Sequence, residues 1–71
     1  MEQQEYIVKL TDVLNTYINS EIKNKRIAVN LNVEGGYPTS ITYTKIDEFL
    51  HDNIDYINNP KQVRDIFLFV D

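Results

Sequence analysis

Arg26-Ile27-Ala28-Val29-Asn30-Leu31-Asn32-Val33-Glu34, then Gly35-Gly36-Tyr37-Pro38, then Thr39-Ser40-Ile41-Thr42-Tyr43-Thr44 is the stretch that decides the fold. In its first part Ile27, Val29, Leu31 and Val33 alternate with Ala28, Asn30 and Asn32, the period of a strand with one buried face. In its last part Thr39, Ile41 and Tyr43 alternate with Ser40, Thr42 and Thr44. Between them the glycines tolerate positive φ and Pro38 cannot donate to a ladder, so the two strands are joined by a turn. A two-residue loop at Gly35-Gly36 would pair Asn30 with Ile41 and put the apolar sets on opposite faces. A three- or five-residue loop pairs Leu31 with Ile41, Val29 with Tyr43 and Val33 with Thr39, which gives one apolar face and is the register expected.

Upstream of the hairpin, Tyr6, Ile7, Leu10, Val13, Leu14, Tyr17 and Ile18 recur at spacings of three and four, predicting an amphipathic helix from Gln3 to about Ile22. Downstream, Thr44 is the expected N-cap of a second helix, with Asp47 at its third position against the positive end of the dipole. Its apolar arc holds Ile46, Phe49, Leu50, Ile54, Tyr56 and Ile57; Asp47, Glu48, His51, Asp52 and Asp55 lie opposite. Asn58-Asn59-Pro60 ends it, because the residue before a proline is pushed out of helical geometry.

Beyond Pro60 two patterns compete. Val63, Ile66, Phe67 and Val70 fit helical spacing, while Ile66-Phe67-Leu68-Phe69-Val70 has the β-branched and aromatic content of a buried strand. A third strand relieves the instability of a lone hairpin, so a helical turn over residues 60–64 followed by a strand is expected. The predicted architecture is α+β, α-β-β-α-β: one domain over residues 1–71, with an antiparallel hairpin and both helices packed on one sheet face.

Composition sets the limits on function. The chain has 71 residues, too few for a separate catalytic domain, and its 42% hydrophobic and 25% charged residues are ordinary for a globular protein. Without Cys there is neither a disulfide framework nor a thiolate metal site. The acidic start Met1-Glu2-Gln3-Gln4-Glu5 does not read as a secretory signal, and the apolar run 66–70 is far shorter than the about 20 residues a bilayer requires. The expectation is a soluble, cytoplasmic protein with no membrane association. Abundant Asn, Ile, Lys and Tyr beside a single alanine, Ala28, suit AT-rich codons, hence a low-GC bacterium or one of its phages or mobile elements.

Charge is uneven along the chain. Residues 1–22 carry one Lys against four acids, residues 23–36 three basic groups against Glu34, and residues 45–59 one Lys against four acids, within a net charge of −4. Lys23, Lys25 and Arg26 suit a helix C-terminus better than a phosphate backbone, and direct nucleic-acid binding is not expected. No strained nucleophile, glycine cradle or paired-carboxylate cleft is legible, so the chain reads as non-enzymatic, with no cofactor. His51, between Asp47 and Asp55 at one-turn spacing, is the sole nucleus for a metal site and lacks further His or Cys ligands.

Two surfaces are the candidates for partner binding. Asp47, Glu48, Asp52 and Asp55 on one helix face could imitate phosphates before a basic groove. If Ile66, Leu68 and Val70 point to the core, Phe67 and Phe69 must point to the other face, among Ala28, Asn30, Asn32, Ser40 and Thr42, which cannot cover two phenyl rings. The first reading is a small protein-binding module, an inhibitor or regulator. The alternatives are a homo-oligomer, such as a homodimer, that uses the apolar sheet face for assembly, and a small metal-binding protein or enzyme centred on His51.

Overall fold

The computed structural model describes residues 1–32 and 39–70. Helix α1 (Gln3–Asn19) leads into strand β1 (Lys25–Leu31); strand β2 (Thr39–Tyr43), helix α2 (Ile46–Asn58), a 3-10 turn (Pro60–Gln62) and strand β3 (Val63–Val70) follow. The three strands form one antiparallel sheet in the order β2-β1-β3, so the strand with the clearest alternation is the central one. Both helices pack on one face of it, α1 against β3 and α2 against β2. The α-β-β-α-β order and the strand at the C-terminus are therefore as the sequence predicts. No helix among the described residues is long and apolar enough to cross a membrane.

The core lies between the sheet and the two helices. Tyr6, Leu10 and Val13 from α1 and Phe49 and Tyr56 from α2 close over Ile27, Val29, Tyr43, Val63 and Ile66. Full burial of side chains such as Phe49 and Val29 is worth about 1.5–3 kcal/mol each. On β3 the alternation sends Ile66 and Leu68 to this side and Phe67 and Phe69 to the other. Val70, expected in the core, is about half exposed, because it sits on the last rung of the sheet opposite Lys25.

The hairpin keeps the expected parity and corrects the expected partners. Val29 faces Ile41, Ile27 faces Tyr43 and Leu31 faces Thr39, so Leu31 does not face Ile41, nor Val29 Tyr43. A strand's period of two fixes which side chains share a face, and sliding the register by two residues leaves that unchanged. Packing across the core favours the observed register. Tyr43 beside Ile27 sets its ring edge-on to Phe49, centroids 5.5 Å apart, with its hydroxyl 2.6 Å from that of Tyr56. Val33 and the turn residues Gly35 to Pro38 lie outside the described residues.

α1 is shorter than its pattern suggests, and α2 ends at Asn58 as expected but begins one residue later. α1 stops at Asn19 with Ser20 in extended geometry, and Ser20 Oγ accepts the Ile22 amide at 3.2 Å, a local bond that competes with another helical turn. The Lys25 ammonium returns to the helix end, donating to the carbonyls of Tyr17 and Ser20 and lying 4.3 Å from the Tyr17 ring centroid. At α2 the N-cap is Lys45 rather than Thr44, without a side-chain cap; Asp47 and Glu48 supply the favourable charge in the first turn.

Candidate functional site

Sheet geometry builds the first candidate surface. On the face turned away from the helices, Phe67 pairs across the ladder with Ala28, and Phe69 with Arg26. The two rings stand 5.1 Å apart between centroids, tilted by 56°, and Ala28 beneath them is fully buried. Thr42 and Ser40 continue the rungs of Ala28 and Asn30 on β2, small polar groups that rise less far than a phenyl ring. Phe67 is half-buried and Phe69 is 47% exposed. Among the described residues no element covers this face.

α2 builds the second, and the structure divides the four acids proposed for it. Asp47, Glu48 and Asp55 are exposed. Asp52, read from the sequence as part of the solvated arc, is half-buried and accepts a hydrogen bond of 2.8 Å from the Tyr43 hydroxyl. Since that hydroxyl has one proton, the Tyr56 hydroxyl is the donor in the bond to Tyr43. Burial foremost, then the bonds to Tyr56 and Asp52 and their charge, pushes the Tyr43 hydroxyl well above the ordinary tyrosine range. Tyr43, Asp47, Glu48, His51 and Asp52 line a shallow, open depression of about 380 Å³. Three of the acids are thus open to solvent, while Asp52 is bonded into the fold.

His51 is exposed, and no three His, Asp or Glu side chains among the described residues converge so as to hold a metal ion. The Asp47-His51-Asp55 spacing puts the three on one side of α2 without making a ligand set.

Two features escape a hydrophobic-pattern reading. Asn53, polar in the middle of an apolar arc, is buried and accepts a hydrogen bond from Tyr6, whose hydroxyl is also pushed up, first by burial and then by Tyr56. Conversely Ile7, Ile18, Leu50 and Ile54, counted with the core, are exposed. The signal for the second was present: at about 100° per residue each apolar arc spans more than a helix can press against a three-stranded sheet. With this geometry in view, no family model, no curated protein and no solved structure matches the chain.

Proposed function

We propose that this protein is a small, non-catalytic binding module that holds another protein against the open face of its sheet, acting as an inhibitor or regulator by occupying a surface. One observation carries the reading: Phe67 and Phe69 stand side by side on the face that neither helix covers, with Phe69 47% exposed. Burying such a ring is worth about 1.5–3 kcal/mol, a gain that a partner recovers and that solvent withholds. Self-assembly through the same face is the second reading, favoured by the edge position of β3. A second copy related by a two-fold axis presents the same patch and the same strand to itself.

The test compares Phe67→Ser plus Phe69→Ser with Ile66→Ser plus Leu68→Ser, by circular dichroism and light scattering. Interface rings predict that the phenylalanine pair stays folded and loses any self-association of the wild type. Loss of core packing predicts that the Ile66/Leu68 pair unfolds. A phenylalanine pair that unfolds like the core pair places the rings in the interior and ends the binding-face reading.

A further inference from the structure

A second apolar surface lies on the opposite side of the molecule, between the helices. α1 is held toward the β3 edge by the ion pair of Lys9 with Asp65, 3.1 Å, and α2 toward β2 by the Tyr43–Asp52 bond, 2.8 Å. Helical spacing puts Ile7, Leu14 and Ile18 on the flank of α1 away from Lys9, and Leu50 and Ile54 on the flank of α2 away from Asp52. The two aliphatic flanks therefore turn toward each other above the central strand. The helices run antiparallel, joined where Gln3 Nε2 donates to the Ile57 carbonyl at 3.3 Å and Tyr6 to Asn53. Along this seam Ile7 is 46%, Leu50 45%, Ile54 59% and Ile18 76% exposed.

Charge specifies what fits there. Asp47 stands next to the seam, and over the solvent crests of the helices, toward the Lys9 and Asp52 sides, lie Glu5 and Asp12 on α1 and Glu48 and Asp55 on α2, all exposed. The only Lys or Arg within the two helices is Lys9, and Asp65 holds it. A second copy docked helix layer to helix layer would set acid against acid, and an anionic membrane would be repelled likewise. We infer that the seam between α1 and α2 is a docking site for an amphipathic helix of a partner protein, with an aliphatic stripe to enter the seam and Lys or Arg along its borders. This surface is separate from the sheet face and does not depend on it.

The probe is a model helix of Leu and Lys, about 18 residues long with Leu at the helical period, set against its Leu/Glu counterpart. Fluorescence anisotropy should show binding of the Leu/Lys helix that weakens as salt rises, and none of the Leu/Glu helix. Ile7→Ser plus Ile54→Ser should weaken it by about tenfold or more, and Ile54→Lys alone, at the more exposed position, should do likewise by placing a cation in the path. Phe67→Ser plus Phe69→Ser should leave it unchanged, which keeps this result apart from the fate of the sheet face. Equal binding of both model helices, no binding of either, or binding that survives the Ile54→Lys and Ile7/Ile54 changes overturns the proposal. So does a wild-type self-association that the Ile7/Ile54 pair abolishes, since the seam would then belong to a second copy.

Discussion

Asn53 shows why a residue's hydrophobicity is a poor guide to its place when a partner waits across the core. Its amide oxygen is buried because the Tyr6 hydroxyl reaches it from α1, and each group answers the other's lost hydration. Replacing one leaves the other buried and unpaired, at a cost of about 1–3 kcal/mol, whereas replacing both removes the demand. Urea unfolding of Asn53→Leu, Tyr6→Phe and the double variant should therefore give a double cost well below the sum of the singles. Tyr43 carries a consequence for pH. Its hydroxyl keeps the proton in the fold at a pH where an unfolded tyrosine, near about 10, has lost it. The folded state then binds more protons than the unfolded one, so stability present below that pH falls as pH rises through it and beyond. Tyr43→Phe should flatten the alkaline limb of a stability–pH curve; an unaltered slope would show that Tyr43 does not contribute to it.

At the scale of elements, what the sequence made legible is what periodicity encodes. The alternation of Ile27 to Leu31 gave the central strand, and that of Ile66 to Phe69 correctly divided β3 between two faces. Periodicity does not encode partners, so the hairpin register was missed by two residues, a slip that the Tyr43 contacts with Phe49 and Tyr56 distinguish among the described residues. Nor does it say how wide a buried arc can be, which is why Ile7, Ile18, Leu50 and Ile54 read as core. Acidity on α2 was legible as a pattern, but not that Asp52 reaches back to β2. This division can be measured. Asp55→Asn, at an exposed carboxylate outside the first turn, should change stability by no more than about 0.5 kcal/mol. Asp52→Ala removes the acceptor of the Tyr43 hydroxyl and should cost about 1–3 kcal/mol. Thermal melts of the two variants in which Asp55→Asn is the more damaging would contradict the assignment.

The whole molecule is a two-layer sandwich of 71 residues without cysteine, so no covalent link restrains its unfolded chain, and a core of this size leaves a narrow margin of stability. In such a molecule association and folding are linked: whatever binds the folded state alone raises the melting temperature by mass action. If copies meet through Phe67 and Phe69, the melting temperature should climb with protein concentration, because dilution favours separated chains that leave the rings in water. Phe67→Ser plus Phe69→Ser should abolish that dependence and bring every concentration to one lower value. Ile7→Ser plus Ile54→Ser should preserve it, for the seam between the helices is on the other side of the sheet, in a helix layer whose net negative charge keeps copies apart. A wild-type melting temperature that does not move over a wide range of concentration would remove self-assembly as a use of the sheet face. The open rings would then require a different protein to cover them, and the same melt repeated with a candidate partner in excess, on the wild type and on the phenylalanine pair, would identify it by a rise seen only in the first.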